Sequence, residues 1–325
     1  MNKSIKLIVN YFLGPVLFVV LSYSLYQQII SQPDLPQRWN QIKLSWQDGR
    51  FWLVVALMFV KWGIESLKWK ILVTPLEQFS FARAFKAVLA GCSITMLTPN
   101  RIGEYGGRIM YVSEKNRLDA ISLTILGSVS QLTITMILGT AGILYLKYVA
   151  PGGNLTDSLP WILNNIILYV SFSITVILLL LYFKAHFFIV LISRIRFLKS
   201  FVKHIAVVDV FTGKQLLRIL FLSFLRYMVF ILQYVWLLQV MEVHISMVLC
   251  FWLLTIFYLM MVMAPTIGFT ELPVRATASV AILGLYSSNI LGMQAATFGI
   301  WLINLVVPAI IGSIFILGIK IMKEK

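Results

Sequence analysis

Five charged residues of this 325-residue chain stand where charge is expensive. Arg101, Glu104 and Arg108 fall in Thr98-Pro-Asn-Arg-Ile-Gly-Glu-Tyr-Gly-Gly-Arg108, a polar, glycine-rich segment set against apolar sequence. Glu271 and Arg275 belong to a looser second version, Ala264-Pro-Thr-Ile-Gly-Phe-Thr-Glu271, which runs on through Pro273 to Arg275. Each presents Pro, Gly, Glu and Arg in that order. Guanidinium groups bind phosphate bidentately, and a carboxylate beside them either orients them or meets a cationic group. Pro99 disfavours helix before it, so a helix is predicted to end near Thr98. A new helix starting near Ile102 or Gly103 would offer free N–H donors at its positive end. Gly103, Gly106 and Gly107 permit the tight turn. These residues predict a phosphate cradle of Arg101, Arg108 and Glu104 on a turn made by Pro99 and Gly103. Glu271 and Arg275, on a break made by Pro265 and Gly268, would complete it from the other side. A plainer reading stays open, in which Glu104 pairs with Arg101 or Arg108, and Glu271 with Arg275, only to let the charges survive at depth.

The elements that must position these residues are membrane helices. The chain is 60% hydrophobic and 12% charged, with a mean hydropathy of +0.90, which no soluble domain matches. No polar stretch is long enough for a soluble catalytic domain, so residues 1–325 read as one integral membrane domain. Spans are predicted at 7–30, 51–72, 118–147, 161–183, 216–240 and 292–319, each near the ~20 residues a bilayer requires. Two more apolar regions, 82–112 and 246–286, are broken by the motifs. The 184–218 loop carries Lys184, Arg194, Arg196, Lys199, Lys203, Lys214 and Arg218 against the single acid Asp209. That bias places it, and both termini, in the cytoplasm. Both flanks of 82–112 are basic, so it is drawn as a hairpin entering and leaving from inside; 246–286 would do so from outside. The predicted fold class is an all-α polytopic membrane protein of about six spanning helices plus two opposed re-entrant hairpins, inverted-repeat-like. The competing arrangement is eight to ten plain helices with both motifs in surface loops.

Net charge is +15, with basic residues mostly between apolar segments. They read as orientation signals and contacts for anionic lipid, not as a nucleic-acid surface. The mixed basic and apolar pattern of 184–218 suits either a helix on the inner surface or simple orientation charges. Lys61, Glu65 and Lys68 on the second helix form an internal ion pair or face a transport path. Arg226 snorkels or serves a cavity. Gln131, Gln233 and Asn304 are expected to glue helices together. Cys92 and Cys250 read as buried thiols. There is no HExxH, CxxC, Walker loop or GxSxG, and His186, His204 and His244 do not cluster. No cofactor, metal or enzymatic activity is expected.

At Leu97-Thr-Pro-Asn-Arg-Ile-Gly-Glu104 the chain resembles the transmembrane domain of the lysylphosphatidylglycerol synthase/flippase family, the bacterial multiple-peptide-resistance proteins and their stand-alone relatives. The resemblance extends to the overall length, the Pro-Gly-Glu element at 265–271 and the basic central loop. It implies a multi-pass protein of the bacterial inner membrane that moves a phospholipid or lipid-linked headgroup between leaflets. The implied partners are an anionic lipid, a second copy of the chain, or an operon-encoded lipid-modifying protein. Two-domain relatives add a soluble synthase; this chain ends at Lys325 and is not expected to make the aminoacyl lipid. Asn100 departs from the small residue expected there, which puts the turn in doubt. The alternative is a membrane-embedded accessory subunit or transferase for lipid-linked sugars, using Glu104 and Glu271 as base or metal ligand. Two lone acids flanked by arginines suit that poorly.

Overall fold

The computed structural model describes residues 35–96, 102–149, 161–184, 206–263 and 271–323, together with Tyr23, Tyr26, Gln27, Ile30, Thr98 and His204. Among them every regular element is helical. In chain order these are α1 (Leu35–Leu44), α2 (Gly49–Val73), α3 (Phe81–Thr95), α4 (Gly103–Ile109), α5 (Arg117–Tyr148), α6 (Trp161–Phe183), α7 (Gly213–Val240), α8 (Met247–Met263), α9 (Glu271–Leu283), α10 (Ile290–Trp301) and α11 (Val307–Lys323). A π-helical turn at Leu302–Val306 joins α10 to α11.

The starts are set by local chemistry. Asp48 accepts from the Arg50 amide at 2.8 Å to open α2, Ser80 from the Arg83 amide to open α3, and Thr212 and Gln215 form a reciprocal capping box on α7. Four helical stretches are long and apolar enough to cross a membrane: Glu114–Tyr148, Asn165–Phe183, Gly213–Val240 and Ile290–Ile316. They match four of the six predicted spans. The 7–30 span lies outside the described residues except at Tyr23, Tyr26, Gln27 and Ile30. The 51–72 span is the 25-residue helix α2, long enough at ~1.5 Å per residue but charged at Lys61, Glu65 and Lys68. Of the surface helix expected over 184–218, residues 185–203 and 205 lie outside the described residues, and Ala206–Val210 form a short 3₁₀ turn ahead of α7.

Two contacts fix the overall plan. α2 and α7 run antiparallel: Gln233 Nε2 donates to the Val54 carbonyl at 2.7 Å, Arg226 meets Glu65 at 3.2 Å, and Lys68 donates to Ser223 Oγ at 3.3 Å. The end of α2 therefore lies beside the start of α7, and the reverse. α5 runs antiparallel to α8, where Gly139 faces Leu259 and Gly142 faces Thr255. Small residues at such crossings let helices approach closely when no hydrophobic force drives them together.

Both broken regions fold back on themselves. After α3 the chain reverses and α4 returns along it, Gly103 against Ile94 and Gly107 against Ala90. The two ends meet at Glu77, which binds Arg83 at 2.8 Å, the Ser113 amide at 3.2 Å and Asn116 Nδ2 at 3.3 Å. The second region, α8 to α9, likewise returns to its starting level. There Asn289 Nδ2 donates to the Met241 and Glu242 carbonyls at 2.9 and 3.1 Å. The first mouth lies just past the end of α2 and the second just past the end of α7. Because α2 and α7 are antiparallel, the two hairpins open at opposite ends of the molecule.

Candidate functional site

Lys61, Trp62, Val88, Cys92, Thr95, Glu104, Arg226, Phe230, Glu271, Arg275, Ile300, Trp301, Asn304 and Leu305 line one cavity. It holds about 560 Å³ free of protein atoms, its mouth included. Of the residues expected at the site, Glu104, Glu271 and Arg275 reach its wall. Arg108 stands directly behind Glu104 and is 1% exposed. Gly103 lies at the start of α4. Pro99, Arg101, Pro265 and Gly268 lie outside the described residues.

The first motif differs from expectation in two details. The helix before it ends at Thr95, three residues early, where the Thr95 hydroxyl bonds back to the Gly91 carbonyl. The α4 amino end is not left open, because the Gly103 amide donates to Thr98 Oγ1 at 2.7 Å. Gly103 itself is required for close approach: a Cβ there would collide with the Ile94 carbonyl. α4 has seven residues, so its dipole is small. The anion-binding capacity of this site therefore resides in side chains.

Those side chains form two groups. On α9, Arg275 reaches back one turn to Glu271 through Nε at 2.9 Å and Nη2 at 2.6 Å. In the larger group, Glu65 of α2 binds Arg108 of α4 at 2.8 Å, Lys68 one turn along at 2.8 Å and Arg226 of α7 at 3.2 Å. Arg108 also pairs with Glu104, and Arg226 donates to Gln131 Oε1 at 3.1 Å. Both local pairs foreseen in the sequence exist, and both also face the shared cavity. The Lys61 ammonium sits 4.7 Å from the Trp62 ring centre and 4.5 Å from that of Phe230, a geometry that steadies a cation in an apolar wall.

Among the described residues, Lys61, Lys68, Arg108, Arg226 and Arg275 stand against Glu65, Glu104 and Glu271 in this cluster. The excess is positive, and buried charge of one sign is costly. Glu65 is the residue that sequence reasoning undervalued. Its signal was the i, i+4, i+7 spacing of Lys61, Glu65 and Lys68, which puts all three on one face of α2. Gln233 does join helices, as expected. Asn304 does not: its amide has no partner among the described residues.

These features define a class: a multi-pass helical membrane protein whose two folded-back hairpins, opening at opposite ends, bring charged residues of α4 and α9 to one cavity. A family description, lysylphosphatidylglycerol synthase TM region, matches residues 11–312. The chain belongs to that family. Nothing among curated proteins or solved structures matches it.

Proposed function

We infer that the protein is a lipid translocase of the bacterial inner membrane, with both termini cytoplasmic and both hairpins re-entrant. The family supports a membrane lipid role. The observation that carries the finer reading is the meeting of two oppositely opening hairpins at a cavity whose charged residues are mostly cations. Broken helices entering from both faces are the usual frame of an alternating-access site. A phosphate-bearing headgroup supplies the negative charge this wall lacks, while its acyl chains stay in the bilayer.

In this reading Lys61, Arg226 and Arg275 hold the phosphate. Glu104 and Glu271 aim the arginines, and Arg108 ties the first tip to α2 and α7. Arg101, with the turn at Pro99 and the break at Pro265 and Gly268, completes the site from sequence alone. No nucleotide is consumed; the lipid's own distribution or an ion gradient drives movement.

The test is transbilayer movement of a headgroup-labelled anionic phospholipid in proteoliposomes. Wild type is expected to move it, Arg275→Gln to slow it more than tenfold, and Arg275→Lys to retain part of the rate. A folded, inserted wild type that moves no lipid, or an Arg275→Gln protein as fast as wild type, overturns the assignment.

A further inference from the structure

The cavity wall also carries neutral hydrogen-bonding groups that nothing among the described residues satisfies. Asn304 is 5% exposed, lines the cavity, and has no partner for either its amide nitrogen or its amide oxygen. The indole N–H groups of Trp62 and Trp301, on α2 and α10, line the same cavity and are likewise buried without partners. Leaving one such group unmet is costly in a protein interior, and several that line one cavity call for a polar partner inside it. Asn304 lies inside the π-helical turn Leu302–Val306. Such turns are rare and concentrate at functional sites. The register shift is anchored, since the Cys92 thiol faces the Leu305 carbonyl at 3.7 Å.

The chemistry of these groups is selective. Indole N–H only donates, so Trp62 and Trp301 call for acceptors, which phosphodiester and ester oxygens supply. A primary amide both donates and accepts, and a ligand hydroxyl answers both needs at once. A quaternary ammonium headgroup answers neither. An aminoacyl headgroup adds positive charge to a wall already in cationic excess, and Glu104 and Glu271 are each engaged by an arginine.

We propose, resting on the translocase reading above, that the cavity takes a phosphodiester lipid with an uncharged, hydroxylated headgroup, and that Asn304 reads the hydroxyl. Two sources share this chemistry, a glycerol headgroup and a cyclic polyol or sugar phosphate headgroup.

The experiment measures binding of short-chain lipids to the purified full chain in detergent. The probes are dioctanoyl phosphatidylglycerol, phosphatidylinositol, phosphatidic acid, phosphatidylcholine and lysyl-phosphatidylglycerol. Wild type is expected to bind the glycerol or inositol lipid at least tenfold more tightly than phosphatidylcholine or the lysyl lipid. The preferred one of the two identifies the source. Asn304→Leu is expected to lose roughly tenfold for that lipid and less than twofold for phosphatidic acid, which has no headgroup hydroxyl. Retained phosphatidic acid binding reports that the variant is folded. Asn304→Ser keeps a donor and an acceptor and is expected to fall between. Unchanged discrimination in Asn304→Leu, or tighter binding of the lysyl lipid by wild type, overturns this inference and leaves the translocase reading standing. Failure of wild type to bind any of the five overturns both.

Discussion

The hairpin of α3 and α4 is closed by backbone, whereas that of α8 and α9 is closed by side chains. In the first, Gly91, Gly103 and Gly107 bring the two arms together until a Cβ would touch the facing chain. In the second, neither arm contains a glycine, and bulky residues such as Tyr258 stand beside Arg275. The charged tips differ in the same sense. Arg108 is bound through Glu65 to α2 and α7, while Arg275 is held by a carboxylate of its own helix. A charge network that spans three helices ties α4 to α2 and α7, whereas the Glu271–Arg275 pair joins residues one turn apart on α9.

The largest expected effect comes from Glu65→Gln, which leaves two buried cations, Lys68 and Arg108, and the half-buried Arg226 around one neutral amide. A loss of about 3–5 kcal/mol is expected, read from thermal unfolding in detergent. Glu271→Gln removes one local pair and is expected to cost about 1–3 kcal/mol. Equal losses would erase this distinction between the two hairpins.

Glycine packing gives the next test. Gly107→Val pushes a branched side chain into Ala90, whose carbonyl a bare Cβ would already approach to 2.5 Å. The expected cost is about 1–3 kcal/mol or more. Gly106 lies inside α4 with nothing within 4 Å of a Cβ, so Gly106→Ala is expected to cost nothing and to stabilise by up to about 1 kcal/mol. Similar melting curves for the two variants would show that the arms are not in backbone contact.

The smallest effect separates the two mouths. Burial alone would raise the Glu77 carboxyl, but hydrogen bonds from Ser113 and Asn116 and the Arg83 charge hold it below its usual value of 4.5. A carboxyl depressed in the folded state contributes stability above its unfolded pKa, and that contribution fades as pH falls through the folded value. Acidification below about pH 4.5 should therefore loosen the first mouth. The second mouth, held by the Asn289 amide, should not respond. Amide exchange of 109–116 and 286–292 across that range tests this, and Glu77→Gln should remove the pH dependence. Parallel changes at both mouths would refute it.

Much of this plan was legible in residues whose cost in a bilayer is high. Pro99, the glycines after it and the basic flanks of 82–112 predicted a chain that turns back, and Gly103 does open the returning helix. The helix stops at Thr95, a turn before Pro99, and nothing in the spacing of the motif marks that earlier end. Glu65 was read as a local partner because its other contacts, Arg108 and Arg226, lie far along the chain. Spacing on one helix reveals a face, not what another helix brings to it. The π-helical turn left no trace, since Leu-Ile-Asn-Leu-Val reads as ordinary span sequence. With the turn hidden, Asn304 looked like a tie between helices.

The contact between the first hairpin and the last helix has a consequence for how the protein is made. Gly312 seats against the Leu89 carbonyl, and Cys92 meets Leu305 across 213 residues of chain. A ribosome adding about 5–20 residues per second takes roughly 10–40 s to cover that interval. Through that time the face of α3 that carries Leu89 and Cys92 lacks the helix that covers it, so α11 is expected to be the element whose arrival closes this part of the fold.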